Sequence, residues 1–405
     1  MTISGIIRFT LFLVSPFLLL AFSADGFSGS PNDLMKNISI SDNQNEIRFQ
    51  EEVVYSETGE IMFGSITTSA VDQAGRVLLG DNDQKMVHVM DGSGDYIQSF
   101  GSQGNGPGEF QMINKIAAGK DYIHVFDVIQ AKINLFDAER FRFIRTISLA
   151  DNGMVMQRGI GAGAGFGRPF DFHLLSDGNY LVMYRNFANP SGNRTAIVSP
   201  TGEILEKDRL EFNKGDEEVA QATSGNTRII ANFPFSRSIG ITVSPTGKIF
   251  SNWSGDFSFD LFDESGTHIR SFSHPHQAAQ LNRNEVLKMF EDSGGGTRVV
   301  VGSGGGGGGG AMPPMSQILQ NMELPETWPA VSSIFTDTQN RLWVSSYTEN
   351  ISIRNWFLFD DTGVLTGTFT WPAGKTVVHA DENKVYVLVR DPEELDKAIQ
   401  YRIIK

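Results

Sequence analysis

Short apolar runs with a two-residue period recur along this chain, and tight turns rich in Asp and Gly separate them. Residues 65–71, 77–80, 86–90 and 95–100 read as four strands. The turns at 72–76 and 91–94 are short enough to force antiparallel neighbours. The unit then returns. A second copy uses 113–117, 122–126, 132–136 and 141–149, and a third spans 170–210 with turns at 176–179 and 199–202. A fourth covers 239–272, where Phe257, Phe259 and Leu261 share one strand face and Ser258 and Asp260 the other. A fifth covers 330–369, and a sixth, 376–404, supplies only three strands.

Residues 47–55 form a lone strand with no local partner. That strand completes the sixth unit if the chain closes on itself, which leaves no unit without neighbours. The pattern therefore predicts an all-β fold: a six-bladed β-propeller of four-stranded antiparallel blades, closed by pairing of the N-terminal strand with the C-terminal blade. In a meander the connections alternate between the two ends of a blade. The long ones, 101–112, 150–169, 185–194, 211–237, 273–329, 345–353 and 370–375, then all fall on one face. Function concentrates on loops held by a rigid scaffold, so that face is the expected binding surface. Within the insertion 273–329, Asn282 to Glu285 resembles a capping box ahead of a short helix, and 316–322 suggests a second. The run Ser303 to Gly310 reads as a flexible linker.

Composition narrows the class. With 30 Phe, 8 Tyr and 5 Trp the chain can build a large core. A net charge of −14 without a basic run argues against nucleic acid and against an anionic membrane surface. The absence of cysteine excludes disulfides, a thiol nucleophile and a lipid-modified Cys. The N-terminus reads as an export signal over residues 1–23: a weakly basic leader to Arg8, an apolar run from Phe9 to Phe22 broken by Pro16, then Ala21-Phe22-Ser23 before Ala24. An uncleaved anchor is the other reading, although the run is short for a membrane span. Residues 24–405 are then one propeller, expected as a periplasmic or secreted monomer.

The blade ending Tyr96-Ile-Gln-Ser-Phe-Gly101, followed by Gly104-Asn-Gly-Pro-Gly-Glu-Phe110, resembles the bacterial six-bladed propeller proteins of the NHL-repeat and TolB-like type. Pro325-Glu-Thr-Trp328-Pro-Ala is similar to the same group. The resemblance implies the fold and an exported location, and it carries no reaction or set of functional residues. Exported members are often lipoproteins, a route closed to a chain without Cys.

No catalytic signature such as GxSxG or HExxH is present. The stretch 101–110 lacks GxGxxG spacing, a Walker lysine and a following helix, so it reads as an inter-blade crossing and not as a phosphate loop. His274 and His276 lack a carboxylate or thiol partner for a metal. Asp81-Asn-Asp83 starts like a calcium loop but has Met86 where glycine is required. His173 and His379 sit on innermost strands as core or channel-wall residues. Lys115, Arg168, Arg237 and Lys375 lie beside the starts of innermost strands, with Arg185 and Arg354 on loops of the same face. Together with Tyr184, Trp253, Trp328 and Tyr347 they form a candidate mouth for an anionic ligand or a charged sugar. The resulting expectation is a non-enzymatic module that binds a small molecule, glycan or protein without a cofactor. The alternative is a metal-dependent propeller enzyme of the lactonase or lyase kind, with a divalent ion in the channel. Asp171 and Asn114 are the nearest candidate ligands for such an ion and do not complete a shell.

Overall fold

The computed structural model describes residues 46–59, 61–150, 167–185, 193–210, 221–224, 227–230, 233–292, 301–302, 319, 322–390 and 396–404. The export signal, the glycine run and most of the second expected helix lie outside the described residues. Strand β1 (Arg48–Tyr55) comes first. Blade 1 follows as β2 (Ile66–Val71), β3 (Val77–Asp81), β4 (Met86–Met90) and β5 (Tyr96–Phe100). Two short strands, β6 (Ser102–Gln103) and β7 (Glu109–Phe110), pair in parallel within the connection to blade 2. Blade 2 is β8 (Ile113–Ala118), β9 (Tyr122–Asp127), β10 (Lys132–Asp137) and β11 (Phe143–Ser148). Blade 3 is β12 (Arg168–Leu174), β13 (Tyr180–Arg185), β14 (Arg194–Val198) and β15 (Ile204–Lys207). After β16 (Gln221–Ser224) and β17 (Thr227–Ile230), blade 4 is β18 (Ile239–Val243), β19 (Ile249–Trp253), β20 (Ser258–Phe262) and β21 (His268–Ser273). Helix α1 (Arg283–Asp292) and β22 (Val301–Gly302) belong to the insertion, and β22 joins β16 and β17 in a small sheet. Blade 5 is β23 (Ser333–Thr336), β24 (Leu342–Tyr347), β25 (Ile353–Phe359) and β26 (Leu365–Pro372). Blade 6 combines β27 (Lys375–Ala380), β28 (Lys384–Val389) and β29 (Lys397–Ile404) with β1 on its outer edge.

The expected closure is present. β1 runs antiparallel to β29, with Arg48 opposite Ile404 and Tyr55 opposite Ala398. Tyr55 is fully buried and donates to Gln400 Oε1 at 3.2 Å. Each of the six seams between neighbouring blades has its own apolar cluster. Along one strand, successive residues feed different seams: Leu78 packs toward blade 2, whereas Val77 and Leu79 pack toward blade 6. A strand apolar on both faces reads as a continuous hydrophobic run, which explains the weak alternation of the second strands.

Polar contacts tie the blades in sequence around the ring. Asn82 Nδ2 donates to the Ile113 carbonyl at 2.8 Å, and Asn114 Nδ2 to the Phe170 carbonyl at 3.3 Å. Arg209 Nη1 reaches the Glu264 carbonyl at 3.0 Å, and Arg270 Nη2 the Asp361 carbonyl at 2.7 Å. Arg341 Nη2 reaches the Asp381 carbonyl at 2.8 Å, and Arg390 Nε closes the circuit on the Ile66 carbonyl at 3.2 Å. The turns repeat one device, in which an Asp or Ser side chain accepts from backbone amides two and four residues on. Asp72, Asp337 and Asp360 do so at 2.8–2.9 Å. The helix expected after Asn282 spans Arg283–Asp292, and Asn282 Oδ1 accepts from the Asn284 amide at 2.9 Å.

Candidate functional site

The connections between blades and those between second and third strands share one face of the ring, as the meander requires. Above blades 4 and 5 the long connections fold together. Phe233 and Phe235 from one insertion, Val286 of α1, and Leu319 and Met322 from the other bury Trp328 and Tyr347 in a satellite core.

The glycine-rich crossing at 101–110 shows why it is no phosphate site. Its own Glu109 occupies the cradle, where Oε2 accepts from the Gly106 amide at 2.7 Å. A Cβ added at Gly104 would stand 1.9 Å from Glu109 Oε2, so the glycines make room for that carboxylate. Lys132 Nζ braces the loop on the Gly106 carbonyl at 3.0 Å, and Phe110 is fully buried in the first seam. Gly101 has φ +88°, and a Cβ there would meet the Phe110 ring at 2.4 Å. Gly178 has φ +85° with open space around it. Gly101→Ala is therefore expected to cost roughly 2–4 kcal/mol, and Gly178→Ala about 1 kcal/mol. Urea denaturation of both variants checks this, and equal costs would show that the Phe110 contact does not constrain the crossing.

Asp81 is not a calcium ligand in waiting. Oδ2 accepts from the Gly64 amide at 2.6 Å, and Oδ1 from Asp83 at 2.8 Å and Gln84 at 3.0 Å. Burial pushes its carboxyl up, but His88 and these amides outweigh burial and hold it well below the usual carboxylate range. His88 Nε2 lies 3.3 Å from Asp81 Oδ2, and Nδ1 lies 2.8 Å from Ser99 Oγ. This Asp–His–Ser chain resembles a nucleophile relay, yet His88 is fully buried. The equivalent cross-strand positions of blades 2 and 4 hold Asn134–Thr146 at 2.6 Å and Asp260–Ser271 at 2.5 Å. The repetition assigns the chain a cross-strand structural role.

The six cations expected at the mouth all have protein partners. Lys115 Nζ binds Asp171 Oδ1 at 2.7 Å. Arg168 Nη2 donates to the carbonyls of Val128 at 2.9 Å and Ile129 at 3.2 Å. Arg185 lies over the Phe170 ring at 4.7 Å, and Arg237 Nη2 reaches Thr327 Oγ1 at 3.3 Å. Lys375 Nζ donates to Tyr401 OH at 2.9 Å, inside the seam between blades 5 and 6. Arg354 Nη1 donates to the Ile351 carbonyl at 2.7 Å and its guanidinium covers Tyr347 at 4.3 Å; burial pulls its pKa below the usual value. Among the aromatics, Tyr184 is fully buried and donates to the Leu149 carbonyl at 3.1 Å. Trp253 is half-buried against the seam between blades 3 and 4. Trp328 stacks on Tyr347 at 4.5 Å, so Arg354, Tyr347 and Trp328 form one three-layer stack.

The innermost strands of blades 2 and 3 bring a group of charged and polar side chains together. Asn114 is exposed, and the Lys115–Asp171 pair keeps 28 % and 29 % of its side-chain surface. His173 Nε2 sits 3.6 Å from Asp171 Oδ2 and has no hydrogen-bond partner among the described residues. Burial pushes Asp171 up, but Lys115, His173 and the Phe172 amide hold its carboxyl below the usual range. Burial, helped by Lys115 and opposed by Asp171, holds His173 down to about 3. Bulges at Asn114 and Phe170 offset these strands from their neighbours. Pro169 inside an inner strand was the readable signal for the second bulge. No set of three or more His, Asp or Glu residues placed to hold a metal occurs among the described residues.

Residues 52–214 match the profile of a family described as a 6-bladed beta-propeller. Whole-chain similarity agrees. A Bacteroides vulgatus protein of the DUF4221 family superposes with a TM-score of 0.52 at 12 % identity, covering 89 % of this chain and 99 % of that one. A Bacteroides fragilis protein described as exported gives 0.50 at 12 % identity, covering 89 % and 95 %. Virginiamycin B lyase of Staphylococcus aureus gives 0.45 at 12 % identity, covering 89 % and 100 %. At these identities the two Bacteroides proteins show a shared fold and nothing finer. No curated protein matches it in sequence. No helix among the described residues is long and apolar enough to cross a membrane.

Proposed function

We propose that this propeller is an exported, non-enzymatic binding module that takes its ligand in the central channel, on the wall formed by blades 2 and 3. The observation that carries the reading is the accessible group Asn114, Lys115 and Asp171 on two neighbouring innermost strands, with His173, whose Nε2 is buried, behind Asp171. Although Asn114 bonds the Phe170 carbonyl and Lys115 pairs with Asp171, these three side chains keep solvent-facing surface. Converging polar groups in a concave site are the usual mark of ligand recognition. Export through a signal over residues 1–23, and the NHL-repeat and TolB-like kinship of the motif at 96–110, belong to the same reading.

Two measurements test it. Mass spectrometry of the protein recovered outside the cytoplasm should find a mature chain starting at Ala24, and a retained Met1 would contradict cleavage. Protein purified from medium supplemented with divalent metals should carry no stoichiometric ion. A tightly held ion whose chelation abolishes lactone or ester hydrolysis would overturn the non-enzymatic assignment in favour of a metalloenzyme.

A further inference from the structure

We infer that the ligand of this wall is a neutral, hydroxyl-rich molecule of the carbohydrate class and not an anion; the inference rests on the channel reading above. Lys115 is already neutralised. Its ammonium stands 2.7 Å from Asp171, so an anion seated on Lys115 would be placed against a carboxylate of its own sign. The neighbouring guanidinium of Arg168 is spent on two backbone carbonyls of blade 2 and does not present an open fork. Long-range forces agree, because a chain with a net charge of −14 repels an approaching anion and leaves a neutral ligand unaffected.

What the wall does offer is paired donors and acceptors with no net charge. Adjacent ring hydroxyls each donate and accept. A carboxylate beside an ammonium answers both demands side by side, and bonds to charged partners are the stronger kind. The exposed Asn114, whose Nδ2 gives one N–H to the Phe170 carbonyl at 3.3 Å, adds its Oδ1 as an acceptor and the second N–H as a donor next to Lys115. Around the ring, the innermost strands of blades 1, 5 and 6 place Thr67, Ser333 and Thr376 at their starts. Ser333 and Thr376 are exposed and Thr67 half-exposed, so hydroxyl groups stand at these three starts, while the nearby Lys375 and Arg237 are engaged by Tyr401 and Thr327. Phe170 at its bulge, half-buried with the Arg185 guanidinium over its ring at 4.7 Å, borders these groups.

The test is a thermal-shift and calorimetric comparison on the full chain. Probes are neutral sugars (glucose, N-acetylglucosamine, cellobiose, xylotriose and maltotriose) against anions (inorganic phosphate, citrate and galacturonate). A neutral sugar should raise the melting temperature saturably. Asp171→Asn and Lys115→Met should each weaken its affinity roughly tenfold to a hundredfold. Asn114→Ala removes an exposed side chain together with its 3.3 Å bond to the Phe170 carbonyl, so its urea midpoint is measured beside its affinity; it should weaken binding in the same direction while the fold is retained. Binding of anions alone, dependent on Lys115, would overturn the inference and leave the channel site standing. Binding of any probe that ignores all three substitutions would overturn the channel reading itself. No shift with any of the eight probes would also count against the carbohydrate assignment.

Discussion

A chain lacking residues 46–55 is expected not to reach the native fold. The lost strand supplies the outer ladder of blade 6 from Arg48–Ile404 to Tyr55–Ala398. It also covers part of two seams: Phe49 packs edge-on against Phe369 at 4.7 Å and Trp371 at 4.5 Å, while Tyr55 is fully buried beside Tyr386. Without it, β29 becomes an exposed edge flanked by apolar residues, the kind of surface on which chains aggregate. A milder lesion isolates one contact. Tyr55→Ala should cost about 3–5 kcal/mol, since it empties a filled aromatic site and leaves Gln400 Oε1 only the long 3.5 Å bond from Lys384 Nζ. Near-ultraviolet dichroism and urea melts read both variants. A synthetic peptide of residues 46–55 should restore cooperative melting to the truncated chain. Truncated protein that melts at the full-length midpoint would refute the role of this strand in closure.

Acid should destabilise the propeller from about pH 6.5 downward, earlier than carboxylate protonation alone would. Burial holds His124 down to about 4, helped by Arg145, and His173 down to about 3. Burial also lowers His276 and His379. Below about pH 6.5 the unfolded chain binds protons at these histidines and the native state does not. The stability they contribute is therefore whole above that pH and is lost as pH falls toward the folded values. At about 1.4 kcal/mol per pKa unit, His124 and His173 each represent a loss on the order of 3 kcal/mol by the end of that window. Asp81 and Asp171, whose folded values lie below the usual range, add a second loss beneath about pH 4. Melting temperature should fall by roughly 5–10 °C between pH 6.5 and 4. His124→Gln, which keeps a polar group beside Tyr180 without a titrating proton, should flatten that slope. An unchanged slope would remove His124 as a cause.

Much of the architecture is legible in the chain because its information is local. Asp72 and Gly75, or Asp360 and Gly363, form turns within five residues, and the turns mark the strands on either side. Counting strands then exposes the missing partner of blade 6, which residues 47–55 fill. The site is less legible because its information crosses blades. Nothing near Lys115 in sequence announces Asp171, and Arg168 finds its carbonyls at 128 and 129 only once two blades are packed. The expectation of open cations at the mouth came from position alone, and position does not reveal a cation's partner. The sheet joining 221–230 to 301–302 escaped notice for the same reason, as its strands are short and belong to two different insertions.

The pairing of β1 with β29 also dictates an order of events. Arg48 leaves the ribosome long before Ile404, so its hydrogen-bonding partner does not exist while most of the chain is being made. Blades 1 to 5 have local partners at once, but the ring stays open until the last strand arrives, and such distant contacts form slowly. A chain that stays open until it is finished is also one that can still be threaded through a narrow pore.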